Sequence, residues 1–66
     1  MRKCTPILAA ADGTVVAAAY SSSMGNYVMI DHGDNIYTVY MHASALYVSK
    51  GQEVSAGTKI AAVGST

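Results

Sequence analysis

Apolar positions along this chain come in short runs broken by glycine- and serine-bearing stretches, with a period of two where a pattern is visible. That rhythm predicts strands, because successive side chains on an extended backbone point to opposite faces. Pro6 sets an extended start for Ile7-Leu8-Ala9-Ala10. Asp12-Gly13 reads as a turn feeding Thr14-Val15-Val16-Ala17-Ala18-Ala19-Tyr20. The alanines there also suit a helix, but β-branched residues directly after an Asp-Gly turn favour a strand. Ser21 to Asn26 is loop by composition. Tyr27 to His32 and Ile36 to His42 flank the turn Gly33-Asp34-Asn35, the strongest hairpin signal in the chain. Ala43 to Leu46 has room for one helical turn. Glycine turns at Lys50-Gly51-Gln52 and Ala56-Gly57 precede a final strand, Thr58 to Val63. The class is all-β, a small sandwich or barrel of short strands.

Asp12-Gly13-Thr14-Val15-Val16-Ala17-Ala18 lines up with Ala56-Gly57-Thr58-Lys59-Ile60-Ala61-Ala62 as a turn feeding a small-residue strand. An internal repeat and a coincidence of common turn chemistry both explain the echo.

Sixty-six residues make a single thin domain, 1–66. A chain this short buries only about 60% of its unfolded surface and usually relies on a staple. Its lone Cys4 makes no intramolecular disulfide and carries no sign of activation, so it reads as inert. Two histidines without a cysteine pair do not form a zinc-finger set. A staple must come from association or from a larger protein. The formal net charge is zero, which removes the electrostatic footprint for nucleic acid or an anionic membrane. Neutrality together with 52% hydrophobic residues also predicts self-association of the isolated chain. No apolar stretch approaches the roughly 20 residues of a membrane span. The basic start Met1-Arg2-Lys3-Cys4 runs into Thr5-Pro6 in place of an apolar segment, so no signal peptide is expected.

Strict alternation puts Ile36, Thr38, Tyr40 and His42 on one face and Tyr37, Val39 and Met41 on the other. His42 would then share a face with two hydroxyls, either as a polar surface without chemistry or as a titrating group in a reaction centre. Asp31 and His32 are adjacent on a strand and point apart, so they do not easily chelate one ion; a turn-stabilising or partly buried His32 is expected. Ser21-Ser22-Ser23 reads as solvated loop. Lys50 sits between Ser49 and Gly51, unlike the lysines that carry biotin or lipoate, and reads as a surface residue.

Four blocks together resemble the lysostaphin-type (LytM-like) zinc metalloendopeptidases, which cleave peptide cross-links in bacterial peptidoglycan. They are Thr5 to Val16, Gly25 to Gly33 (with Ile30-Asp31-His32-Gly33), Tyr37 to His42, and Val48 to Val54 continuing through Gly57 and Ile60 to Thr66. They span nearly the whole chain. The last block alone is shared in rhythm with biotinyl and lipoyl domains. The resemblance implies a sheet fold of the hybrid-motif kind. It also implies that His42, which closes the Thr38-Val39-Tyr40-Met41-His42 strand, is a catalytic histidine beside the zinc-bound water. It gives Asp31 and His32 a structural part.

The same resemblance implies a deficit. The family's zinc ligands come from a His-x-x-x-Asp motif ahead of the Thr-Pro block and a His-x-His motif after a Gly-Ser-Thr-Gly stretch. The 66 residues fall between the two, so this chain is expected to hold no metal by itself, zinc belonging to the intact parent. The first reading is therefore the core of a peptidoglycan endopeptidase, inactive alone, from a parent at the cell envelope or outside the cell. The second is a degenerate LytM-like binding or regulatory module, and the third a small structural protein of the hybrid-motif fold.

Overall fold

A computed structural model describes residues 4–64, with side chains from 5 to 63. The basic start Met1-Arg2-Lys3, the closing Ser65-Thr66 and the side chain of Cys4 lie outside the described residues. Seven strands follow in order: β1 Cys4–Leu8, β2 Gly13–Ser21, β3 Gly25–Asp31, β4 Tyr37–Ala43, β5 Ala45–Leu46, β6 Glu53–Val54 and β7 Lys59–Gly64. They build two antiparallel sheets, ordered β1-β7-β5 and β4-β3-β2-β6. The all-β expectation holds. No helix among the described residues is long and apolar enough to cross a membrane.

The core lies where the two sheets meet. Val15, Val28, Ile30 and Val54 from one sheet cluster with Ile60 and Ala61 from the other, joined by Ala9, Ala43 and Val48. Ile30, Ile60, Val15 and Val28 are fully buried, each worth about 1.5–3 kcal/mol relative to exposure. Strand β7 is central in its sheet and is buried at three consecutive positions, Ile60, Ala61 and Ala62. A strand covered on both faces reads as a continuous apolar run rather than an alternation. Pro6 is tolerated because β1 is an edge strand, where a missing N–H breaks no interior ladder.

Three local expectations are corrected. Residues 43–46 form no helical turn: Ser44 donates its N–H to Ala62 O at 2.7 Å, and Ala45–Leu46 pair with β7. The loop expected over Ser21 to Asn26 shrinks to residues 22–24. Antiparallel pairing continues through Tyr20–Asn26 and Ser21–Gly25, polar composition notwithstanding. The echo between the Gly13 and Gly57 segments is not a structural repeat, since the strands belong to different sheets and the glycines do different work. Gly57 sits at φ +86° in a turn with open space around it. At Gly13 a Cβ would lie 2.6 Å from Asp31 O and from Ile30 Cγ2.

The hairpin β3–β4 organises the rest. Asp34 and Asn35 have φ of 55° and 62°, and Ile36 N–H bonds Gly33 O at 2.9 Å, the signature of a type I′ turn. Asp and Asn tolerate the left-handed region better than most residues, so the turn chemistry suits its geometry. Across the sheet the inward rows are Val15–Ile30–Thr38 and Ala18–Val28–Tyr40. A bulge at Val16, the extra residue between the Val15–Ile30 and Ala17–Met29 pairs, keeps both rows facing the core.

Candidate active site

His42 does not lie where alternation puts it. Val28 pairs with Tyr40 and Asn26 with Ala43, so two residues of β4, Met41 and His42, oppose the single Tyr27 of β3. This is a β-bulge, and it slips the pattern by one. Tyr40 and then Ala43 point inward, while Met41 and His42 are both exposed. His42 takes φ +62°, in the left-handed region that disfavours side chains. Its backbone N–H donates to Met24 O at 2.8 Å. The neighbouring Ala43 O accepts from Asn26 Nδ2 at 3.1 Å. Gly25, at φ +70°, lies alongside, where a Cβ would be 3.5 Å from His42 Cα and 3.9 Å from its Nδ1. The bulge is thus gripped by the end of the β2–β3 turn and the first residues of β3 across from it. Among the described residues nothing hydrogen-bonds the His42 ring.

The expected face of Thr38, Tyr40 and His42 is therefore split. Both hydroxyls turn inward: Tyr40 Oη accepts from Ala10 N at 2.9 Å, and Thr38 Oγ1 lies 2.7 Å from His32 Nε2. The other ring nitrogen of His32, Nδ1, is 2.7 Å from Asp12 O. A carbonyl only accepts, so Nδ1 carries a proton and donates; in the neutral ring Thr38 then donates to Nε2. His32 ties the Asp12 turn to the hairpin. Asp31 works separately, its Oδ1 accepting from Gly33 N at 2.8 Å, and Asp12 Oδ1 accepts from Ala56 N at 2.8 Å. The turn-stabilising part expected of His32 is the one its bonds describe.

Two open hollows, of about 520 and 360 Å³, share Asp12, Gly13 and Thr14 as walls. They lie at the His32 end of the hairpin. His42 stands at the other, separated by six residues of strand or about 20 Å. The hollows are thus walled by residues around the Asp12 turn, His32 and β6, and not by the candidate catalytic group.

The zinc implied by the resemblance finds no matching donor set here. A catalytic zinc takes about three protein ligands. Among the described residues no three His, Cys, Asp or Glu side chains gather to hold an ion. His32 has both nitrogens engaged, and no buried polar side-chain atom among the described residues lacks a partner.

The sequence reasoning missed Asn26 and the bulge. The signal was available in the spacing of small and aromatic residues: Tyr40 and Ala43 are three apart, one more than a regular strand allows between two core positions.

Comparison with known proteins matches residues 1–66 to Peptidase family M23. An uncharacterized metalloprotease of Haemophilus influenzae is 49% identical over 63 residues, covering 94% of this chain and 13% of that protein. The peptidoglycan DD-endopeptidase ShyA of Vibrio cholerae is 44% identical over 62 residues, covering 94% of this chain and 14% of the enzyme. The murein hydrolase activator NlpD of Escherichia coli is 44% identical over 61 residues, covering 91% of this chain and 16% of that protein. The chain spans about one-seventh of the length of these relatives.

Proposed function

The chain belongs to peptidase family M23, and from that membership we propose that it is the β-core of a peptidoglycan endopeptidase to which it contributes His42. The observation that carries the reading is an exposed imidazole on a strained bulge, with no hydrogen-bond partner for its ring among the described residues. Strain of this kind costs about 1–3 kcal/mol and persists where the surroundings impose it, as they do at reaction centres. An imidazole so presented can hydrogen-bond an oxygen that gains charge as a peptide carbonyl is attacked, or hand a proton to the leaving amine. The zinc ligands come, on this reading, from segments flanking these residues in a longer polypeptide. The substrate class is the peptide portion of peptidoglycan, and the place of work is the cell envelope. A longer polypeptide carrying the flanking motifs should cleave peptidoglycan peptides, and the 66-residue chain should not. Cleavage by the short chain would sink the proposal.

A second reading is favoured by the likeness to NlpD, whose name is murein hydrolase activator. The longer polypeptide would then cleave nothing itself and would stimulate a separate hydrolase. The cleavage assay, run with and without such a hydrolase, separates the two.

The isolated chain should also self-associate. Strand β4 is an edge of its sheet among the described residues, carries no Asp, Glu, Lys or Arg, and exposes Tyr37, Val39 and Met41. Edges protected from pairing usually carry charge or proline. Sedimentation should show mass rising with concentration; a constant monomer mass would remove this part of the reading.

A further inference from the structure

The His42 bulge is an expensive local conformation, and its retention has to be explained by something outside β4. The ladder itself would favour regular pairing of Met41 or His42 with Tyr27. Three features of the β2–β3 turn and the start of β3 oppose that. Met24 O accepts the His42 N–H, Gly25 leaves room beside the His42 backbone and ring, and the Asn26 amide donates to Ala43 O. The first is a backbone bond any sequence could make. Gly25 supplies space and a positive φ. Only Asn26 uses a side chain to select the slipped register: it spends its donor on Ala43, the residue with which it is itself paired across the strands. In an unbulged ladder that side chain would face a different residue of β4, since a one-residue shift flips every side chain to the other face.

We propose that Asn26 is a positioning residue for His42, its side-chain amide holding the one-residue bulge that turns the imidazole outward. The importance of the orientation rests on the catalytic reading of His42; the orientation itself does not. Asn26 is half-buried and touches neither substrate nor the reacting atoms on this reading, so it acts through the backbone of Ala43 and the bulge alone. Its nearest isostere, aspartate, keeps the shape but as a carboxylate offers only acceptors to a carbonyl, which removes the bond without opening a cavity.

The test starts on the unmodified 66-residue chain by nuclear magnetic resonance. A scalar coupling should be seen across the bond from Asn26 Nδ2 to the Ala43 carbonyl carbon, along with Overhauser contacts from the His42 ring to the Gly25 Hα protons. Absence of both overturns the proposal without any mutation. In Asn26→Asp, and in Asn26→Ala as a second variant, the ring contacts to Gly25 should vanish. Exchange of the His42 amide should speed by about tenfold, the equilibrium worth of one hydrogen bond. The His32 amide, bonded to Ile36 O at the far end of the hairpin, should keep its protection. Retained ring contacts in either variant overturn the proposal, and so does an equal loss of protection at both histidines, which marks a merely structural asparagine. In a longer, active polypeptide, Asn26→Asp should lower kcat by roughly ten- to a hundredfold with KM unchanged. It should have no further effect once His42 is alanine. If the resonance results hold while activity ignores His42, positioning stands and the catalytic reading falls.

Discussion

The two ends of the β3–β4 hairpin carry one histidine each and use it in opposite ways. At the tip, His32 is wired on both sides, to Asp12 O and to Thr38 Oγ1, each at 2.7 Å. The positive-φ residues there are Gly33, Asp34 and Asn35, types that accept that conformation cheaply. At the other end His42 holds a positive φ with a large side chain and an exposed ring that nothing among the described residues engages. One end has its histidine bonded through both ring nitrogens and its positive φ in a tight turn. The other has a positive φ at a bulge and an exposed ring with no partner among the described residues. The first pattern serves the fold; the second leaves the ring open to solvent, as the catalytic reading proposed for His42 requires.

The widest separation between the two ends should appear in activity. In a longer polypeptide that cleaves peptidoglycan peptides, His42→Ala should reduce turnover by about 10²–10⁴-fold, the usual worth of a positioned acid–base group. Its melting temperature should stay close to that of the parent, because an exposed side chain buries little and alanine keeps the same strained φ. Turnover within a few-fold of the parent would erase the contrast from the functional side.

His32→Ala should show the reverse. It removes two hydrogen bonds and leaves the half-buried Thr38 hydroxyl without its partner, a loss of about 2 kcal/mol. In a domain this small each kcal/mol is worth about 4–8 °C of melting temperature. Thermal melts of the 66-residue chain check it, and a variant that melts with the parent would show that the latch holds nothing.

Gly33→Val sharpens the account of strain at the tip. The site is open, with nothing within 4 Å of a built Cβ, and φ is +90°. Any penalty is therefore backbone penalty, about 1–2 kcal/mol for a side chain in the left-handed region and more for a β-branched one. It should destabilise clearly more than His42→Ala. Equal melts for the two would mean that the turn relaxes out of its positive-φ conformation.

How much of this was legible beforehand divides along the same line. The hairpin, its Gly33-Asp34-Asn35 turn and the structural part of His32 follow from local chemistry, since turn residues and alternating strands leave short-range marks. The family likeness reaches His42 through the Thr38-Val39-Tyr40-Met41-His42 strand. Its surroundings depart from strict alternation, because β4 slips by one residue at Met41 and His42. A bulge is set by the partner strand, here by Met24 to Asn26, and a single strand read in isolation carries only its trace in the Tyr40–Ala43 spacing. The helical turn expected over Ala43 to Leu46 fails for the same reason, since the short β5 pairing found there is decided by β7 across a distance in sequence. What depends on neighbours in space, and not in sequence, leaves no short-range mark on the chain.

The smallest expected effect is the most pointed. His42→Gly should raise stability slightly, by a few tenths to about 1 kcal/mol. The left-handed conformation costs a side-chain-bearing residue about 1–2 kcal/mol, which glycine avoids. Histidine adopts that region more readily than most residues, and glycine pays its own entropy of about 0.5–1 kcal/mol on ordering, so the net gain is modest. His42→Ala, keeping the strain, should gain none of it, which makes the alanine variant the control for loss of the ring. A glycine variant more stable than both parent and alanine variant, yet inactive in the longer polypeptide, would mean that the chain gives up stability to hold an imidazole at this bulge. Denaturant melts resolve differences of this size when the slope is unchanged. If glycine is no more stable than alanine, the bulge is not strained by its side chain, and the case that His42 is kept there for its chemistry loses its energetic half.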